Sequence, residues 1–338
     1  MSNAKSILVI RNDKLGDFML AWPAFALLKS QYPESEITAL VTAYTKDMAE
    51  LCPSIDKTIV DEGNSVFLLS RAITKYKFDA SVALFTETRT ALACLLSRIP
   101  VRIAPATKLA QLFSNKTLTQ RRSRSQKPEY EYNIDLVKHL IKSQGDTPVT
   151  TPAPPYLSFD QSLVKNLRDR YRQDKNIPED RLIIIVHPGT GGSAINFSIK
   201  QYASLIKAVS ENIKSHFIIT AGPGETETAQ SLSTLIEGTD HHVYISDKGI
   251  ETFSQFIATC DIFISGSTGP LHIAGALNVR TAAIYPARRS ATALRWQTTN
   301  IESRRIAFSP EKHVDEHDMK TIDAEDCAKQ IILFLNQR

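Results

Sequence analysis

Cysteine is scarce in this 338-residue chain, and its four copies, Cys52, Cys94, Cys260 and Cys327, lie far apart. No two have the spacing of a metal-binding or redox pair, and no disulfide framework can be read, so a reducing compartment is the expectation. Long hydrophobic runs are also missing, since none approaches the ~18 residues that would cross a bilayer. The opening residues lack a charged segment followed by an apolar core, the pattern of an export signal, and the expected location is the cytoplasm. Charge of one sign is not in large excess: 40 Lys and Arg against 36 Asp and Glu leave a formal +4. That balance alone does not indicate a nucleic-acid partner. No Asp-x-Asp, no Walker A and no Gly-x-Gly-x-x-Gly sequence occurs. These absences leave an ordinary globular chain, 42% hydrophobic and 22% charged, of a length that suggests two domains.

What is present is alternation. Short apolar runs at 6–10, 36–42, 57–61 and 78–85 read as strands, with helical spacing at 20–33, 45–51, 65–76, 87–97 and 131–145 between and after them. "TPVTTPAPPYLSF" (147–159) holds four prolines and reads as an extended connector. The pattern then repeats, with strands at 181–187, 215–220, 241–246, 260–266 and 279–286. The expectation is an α/β protein of two Rossmann-like, doubly wound parallel-sheet domains, 1–155 and 156–321, followed by a helix in 322–338. Ligands of such sheets bind outside the carboxyl ends of the strands, and with two sheets the natural site is a cleft between them.

Four loops at strand ends hold the candidates. "RNDKLGDFML" (11–20) places Gly16 in a tight turn and Asp17 at a helix start. Asp17 is read either as a helix cap or as a general base that accepts the proton of an attacking hydroxyl. Lys14 and Arg11 lie beside it as candidate anion partners. "HPGTGGSAINFSIKQYASLI" (187–206) carries Gly189, Gly191 and Gly192 between an apolar strand and a helix. Glycines there let main-chain amides approach a phosphate, with Thr190 and Ser193 adding hydroxyls. "TAGPGETET" (220–228) offers Glu225 and Glu227 to ribose hydroxyls. "SGSTGPLHIAGALN" (265–278) offers Ser267, Thr268 and the amides at Gly269, with Pro270 in the first helical turn and His272 one turn in. Two anion cradles in one domain suit a nucleotide diphosphate.

Together these loops resemble the ADP-heptose:lipopolysaccharide heptosyltransferases, glycosyltransferase family 9, and the likeness spans nearly the whole chain. "ILVIRNDKLGDFMLAWPAFALLKSQYPESEITALVT" is similar to the family's opening with its Leu-Gly-Asp turn, and "SGSTGPLHIAGAL" to its (Asp/Ser)-Thr-Gly-Pro-x-His-x-Ala-x-Ala-Leu segment. The resemblance implies a GT-B fold with two domains facing a central cleft, and an inverting transfer of heptose with no metal or other cofactor. It implies that Asp17 is the catalytic base. It also implies that Thr190, Gly191, Gly192, Ser193, Asn196, Glu225, Glu227, Ser267, Thr268, Gly269, Pro270 and His272 hold ADP-heptose. The acceptor, a lipopolysaccharide inner-core sugar, would bind the first domain, and the last helix would cross back onto that domain. Where relatives often carry Arg or Lys before the aromatic, this chain has Ile195, and Ser267 stands where many carry Asp. Arg288, Arg289 or Arg295 is expected to supply the missing cation. A different nucleotide sugar, a non-catalytic sugar-nucleotide or glycan-binding homologue, and a GT-B-like epimerase are the alternatives.

"KLAQLFSNKTLTQRRSRSQK" (108–127) is strongly basic. It reads as a solvated loop or as a contact, through Arg121, Arg122 and Arg124, with a phosphorylated acceptor or the inner membrane's anionic surface. Few aromatics interleave with it, so nucleic acid is not expected. "HVDEH" (313–317) matches a zinc-protease pattern, but no long helix is expected there to present both histidines, and no metal site is assigned.

Overall fold

The protein is described from a computed structural model covering residues 6–107, 109–192, 195–311 and 318–337. It divides into two compact units between Leu157 and Ser158, within the proline-rich connector. In the first, six strands run parallel: β1 (Ser6–Ile10), β2 (Glu36–Thr42), β3 (Lys57–Asp61), β4 (Ala80–Ala83), β5 (Val101–Pro105) and β6 (Lys116–Leu118). Their order across the sheet is β3-β2-β1-β4-β5-β6, with Ile7 opposite Ile37 on one side and Ala80 on the other. Helices α1 (Leu15–Met19), α2 (Trp22–Gln31), α3 (Lys46–Glu50), α4 (Val66–Thr74), α5 (Thr88–Leu96) and α6 (Glu129–Ser143) form the crossovers and cover the sheet. The central strands are apolar at nearly every position because both of their faces are buried.

The second unit repeats this plan with β7 (Leu182–His187), β8 (Ser215–Ala221), β9 (His241–Ile245), β10 (Ile262–Gly266), β11 (Arg280–Ile284) and β12 (Arg305–Phe308). The order β12-β11-β10-β7-β8-β9 is again parallel throughout. Its helices are α7 (Gln161–Lys175), α8 (Ile199–Ser210), α9 (Thr226–Leu235), α10 (Gly249–Ile257), α11 (Gly269–Ala276), α12 (Ala293–Trp296) and α13 (Ala324–Asn336). Strand order reverses direction between β1 and β4 in one sheet and between β7 and β10 in the other. The loops leaving those strands part to opposite faces, which opens a crevice at the carboxyl edge. Both sheets are the doubly wound kind expected.

Two features differ from the expectation. Three strands go beyond those expected, β5 and β6 in the first sheet and β12 in the second. β6 and β12 are edge strands of three or four residues, too short for a periodic signal, and the short run of β5 is interrupted by Arg102 and ends on Pro105. The last helix, α13, does not bury its apolar stripe in the first domain. Cys327, Ala328, Ile331 and Phe334 join the core of the second, packed on α8 with Leu205 and Ile206. The stripe's spacing was right and its destination was not. Gln201 in the first turn of α8 donates from Nε2 to the carbonyls of Met319 (2.7 Å) and Ile322 (3.3 Å), fixing the start of α13 on its own domain. Ile331 is fully buried there. Ile331→Ala is therefore expected to cost about 2–5 kcal/mol, read by urea unfolding. A loss under ~0.5 kcal/mol, the range of ordinary surface changes, would contradict this packing.

Candidate functional site

In the first domain the chain leaves β1 at Arg11, whose amide donates to Leu40. The Arg11 side chain turns inward and is almost fully buried. Its guanidinium meets three carboxylates: Asp17 Oδ1 at 2.7 Å, Asp13 Oδ1 at 2.9 Å and Glu129 Oε1 at 3.3 Å. It also donates to Asn133 Oδ1 (3.3 Å) and the Leu84 carbonyl (3.4 Å). A buried cation of this kind needs such partners, since leaving it unpaired costs several kcal/mol. Asp17 sits in the five-residue helix α1, entered through Lys14, and its side chain keeps 21% of its surface. Burial pushes the Asp17 carboxyl above the ordinary carboxylate range, Arg11 offsets part of that, and Glu129 adds to it. Burial likewise raises Asp13, to about 6, against the pull of Arg11 and with repulsion from Asp17.

Lys14 is exposed beside this cluster. The basic segment is not a plain loop: it contributes β6 and a 3-10 turn at Arg122–Arg124. Arg122 does not present its charge as expected. It is drawn into the same network, donating to Glu129 Oε1 (2.7 Å), Gln120 Oε1 (2.9 Å) and the Leu84 carbonyl (3.1 Å). Arg121 and Arg124 are exposed. All three line a cavity of about 520 Å³ at the carboxyl ends of β4, β5 and β6, together with Phe85, Thr86, Thr107 and Thr119. Sequence reasoning missed Glu129 and Asn133, which lie more than a hundred residues from Arg11 and carry no local motif.

In the second domain the glycine-rich turn leaves β7 at His187. Gly191 and Gly192 adopt left-handed φ values of +53° and +72°, which favour glycine. Gly189 serves a different need: a Cβ there would overlap the Glu225 carboxylate. Glu225 reaches across from the end of β8 and accepts from the amides of Gly191 (2.8 Å) and Gly222 (3.0 Å). An anion does sit in the turn, and it is the protein's own. His187 faces the same carboxylate at 3.5 Å, and burial depresses its basicity, with Glu225 opposing. Thr190 accepts from Gly192 at 3.2 Å. Asn196, expected on a donor, braces the loop instead: its amide donates to the Pro188 carbonyl (3.2 Å), and its Oδ1 accepts from Phe197 N (2.8 Å) and the Tyr202 hydroxyl (2.7 Å). Ser193 lies outside the described residues, as does the 313–317 pattern. Glu227 is exposed in the first turn of α9.

The strand-end loop of β10 leads straight into α11. Thr268 caps that helix, accepting from Leu271 N (3.5 Å), and is buried, so its hydroxyl serves the fold. Ser265 donates to the His187 carbonyl (2.9 Å) and ties β10 to the glycine turn. Ser267, Gly269 and Pro270 are half-buried at the helix start. His272 is buried; that burial lowers its pKa to about 4, so the ring is neutral, and Nδ1 has no hydrogen-bond partner among the described residues. Arg288, Arg289 and Arg295 follow β11 on the same sheet edge. Arg295 stacks on Trp296 at 5.5 Å. Thus the second sheet's carboxyl edge gathers the glycine turn, Glu225, Ser267 and the α11 terminus. The first sheet's edge gathers Asp17, Lys14 and the arginine-lined cavity. Among the described residues no cluster of His, Cys, Asp and Glu has the makings of a metal site.

The Glu225 seat makes Gly189 testable. Gly189→Ala must expel that carboxylate and strand the amides of Gly191 and Gly222. It is expected to cost about 1–3 kcal/mol, measured by urea unfolding, whereas Gly192→Ala should act only through backbone strain. Equal stability of Gly189→Ala and the parent would remove Glu225 from the turn.

The family model for glycosyltransferase family 9 (heptosyltransferase) matches residues 66–321. A Haemophilus influenzae protein with a provisional glycosyltransferase name is 41% identical over 336 residues, covering 98% of this chain and 97% of that one. Lipooligosaccharide heptosyltransferase 2 of Campylobacter jejuni is 22% identical over 298 residues, covering 85% and 83%. The solved structure of E. coli ADP-heptose LPS heptosyltransferase II aligns with a TM-score of 0.77 at 17% identity, covering 98% and 99%. At that identity the structural likeness speaks to the fold, which is GT-B. Carried by the family match and the 41% relative, the conclusion is that this chain belongs to glycosyltransferase family 9 and is a glycosyltransferase.

Proposed function

We propose that the chain transfers heptose from ADP-heptose to an inner-core sugar of lipopolysaccharide, inverting the anomeric carbon, with Asp17 as the base. The observation that carries this reading is the Asp17 carboxylate. It stands at the carboxyl edge of the first sheet, held at 2.7 Å by a buried guanidinium, yet keeps open surface toward a reactant. Burial has made it more basic than a free carboxylate, which suits proton abstraction near neutral pH. The acceptor hydroxyl gives its proton to Asp17 as its oxygen bonds to the anomeric carbon. The bond from that carbon to the diphosphate breaks, and ADP leaves with the electron pair. The amides at the start of α11 stabilise the departing charge, an arrangement whose worth comes from being set in advance. Neutral His272 offers a ring nitrogen there without adding charge.

On the donor side, Thr190, Gly192, Ser267, Gly269 and Pro270 are the residues proposed to touch the diphosphate. Glu225 and Glu227 are assigned to the ribose, with Glu225 already oriented by two amides. Lys14, Arg121 and Arg124 are assigned to an anionic acceptor, while Arg122 acts through Glu129 to hold Arg11 in place. The names of the Campylobacter jejuni relative and the E. coli structure support heptose and ADP-heptose. Ile195 is exposed at the position where relatives often place a cation, which favours, as a second reading, transfer from a different nucleotide sugar.

Asp17→Asn should lower transfer by about 10²–10⁴-fold with the melting temperature kept. A base must be ionised, so activity is expected to fall as pH drops through a midpoint above the ordinary carboxylate value of about 4. Asp13→Asn removes a neighbouring negative charge and leaves more of Arg11 to Asp17, so it should move that acid limb of kcat/KM to lower pH. An unmoved limb would show that some other group is being titrated. Thermal shift with ADP, UDP, GDP and CMP separates the donor readings. Stabilisation by ADP alone supports ADP-heptose, and a preference for UDP or GDP supports the second.

A further inference from the structure

Two neighbouring residues grip the chain that leads into Asp17. Arg11 is one of them. Asn12 is the other, and it connects to a separate set of charges. Leu8 and Ile10 of β1 share a core with Leu69, Ile73 and Cys94 of α4 and α5, and Asn12 continues that alternation along the chain. Its Nδ2 donates to Asp61 Oδ2 at 2.6 Å. Asp61 is the last residue of β3, and its side chain is buried. In the sheet β2 lies between β1 and β3, so this bond reaches across the end of β2. Arg89, in the first turn of α5, meets the same carboxylate with both arms of its guanidinium, Nη1 to Oδ1 at 2.9 Å and Nη2 to Oδ2 at 2.5 Å. Nη1 also donates to the Asn64 carbonyl (3.2 Å), and the Gly63 amide donates to Asp61 Oδ1 (3.1 Å).

This arrangement is a brace and not a surface ion pair. A forked guanidinium on a carboxylate fixes direction as well as charge. Burial works against the ionised form of Asp61, but the bonds from Arg89, Asn12 and Gly63 prevail and hold its carboxyl below the ordinary range. Asp61 therefore stays charged where Asp17, shifted the other way, takes up a proton. The far side of the Asn12 amide, Oδ1, is buried with no hydrogen-bond partner among the described residues. A buried acceptor without a partner is costly, so it is the bond to Asp61 that keeps the side chain there. Asn12 lies between Arg11, which bonds Asp17, and Asp13, which shares that guanidinium with it. Fixing Asn12 thus fixes the two groups that act on Asp17. None of Asn12, Asp61 and Arg89 lines the arginine-bearing cavity assigned to the acceptor.

We propose that Arg89, acting through Asp61 and Asn12, is a positioning residue for Asp17, a second brace that fixes the loop after β1 from the side of β3 and α5. The assignment rests on Asp17 being the base. It is tested in the full chain with Asn12→Ala, Arg89→Lys and the two combined, using ADP-heptose and heptose-deficient lipopolysaccharide. Asn12→Ala is expected to lower kcat about tenfold or more, since a displacement of about 1 Å can cost 10²-fold, while KM for each substrate stays within about twofold. Arg89→Lys keeps the charge but cannot fork, and should do the same to a smaller degree. The double variant should fall no further than Asn12→Ala, because Arg89 reaches the loop only through that bond. Carboxyl 13C signals of labelled aspartate read the titration of Asp17 directly, assigned by their loss in Asp17→Asn. Asn12→Ala should move that titration to higher pH, because a looser loop gives the carboxylate less of Arg11; a merely structural role would leave it in place. Melting temperature and far-ultraviolet circular dichroism verify folding of each variant. If the parent transfers no heptose but Asn12→Ala moves the titration, the brace stands and the heptose reading falls. A titration unmoved in both single variants overturns the brace, whether or not heptose is transferred. With an active parent, losses that add in the double variant overturn it too, as does an effect of Arg89→Lys confined to the acceptor KM.

Discussion

One buried guanidinium organises the first domain's site. Arg11 ends the central strand, and its charge cannot be left without counter-charge in the interior. Asp13 comes to it from the following loop, Asp17 from α1, and Glu129 from α6, which packs beside α2. Arg122 then balances Glu129, so two cations and three carboxylates are linked through short contacts. Because these groups come from β1, α1, α6 and the turn after β6, the position of Asp17 is set by the whole carboxyl edge of the sheet. Its reactivity is set by the same contacts, since burial raises its affinity for a proton and Arg11 restrains that rise.

The second domain solves a related problem with main-chain groups. A strand that stops and a helix that starts leave amides without partners. Glu225 satisfies the Gly191 amide of the glycine turn and the Gly222 amide of the loop after β8, and needs the space that the missing Cβ of Gly189 leaves. In the next crossover Thr268 caps α11 and Ser265 links the two loops, so cradle and cap are one connected structure. The turn is thus braced by the protein's own groups, in keeping with the general advantage of preorganised sites.

Much of this was legible in the chain itself. Two rounds of apolar runs and helical spacing gave the sheets, the prolines at 148–155 gave the division, and the glycines and small hydroxyls at strand ends gave the loops. The failures have physical causes. Strands β6 and β12 hide because an edge strand of three or four residues needs only one or two apolar contacts. The destination of α13 hides because an apolar stripe reports that a helix is buried and says nothing of what buries it. Asn196 and Thr268 bond to Pro188 and Leu271, because short polar side chains at a turn serve the backbone as readily as a ligand. Arg122 looked like surface charge because its partner, Glu129, is not distinguishable by sequence from the other acids of α6.

The two late strands also bear on how the molecule behaves among its neighbours. The rim of a sheet offers unpaired amides and carbonyls to any other extended chain. Here one rim is Lys116-Thr117-Leu118 and another begins at Arg305. Each is only three or four residues long and opens on a cation, so it gives a second copy little length to pair with and a like charge to meet. Sheet-to-sheet growth is discouraged at these two edges.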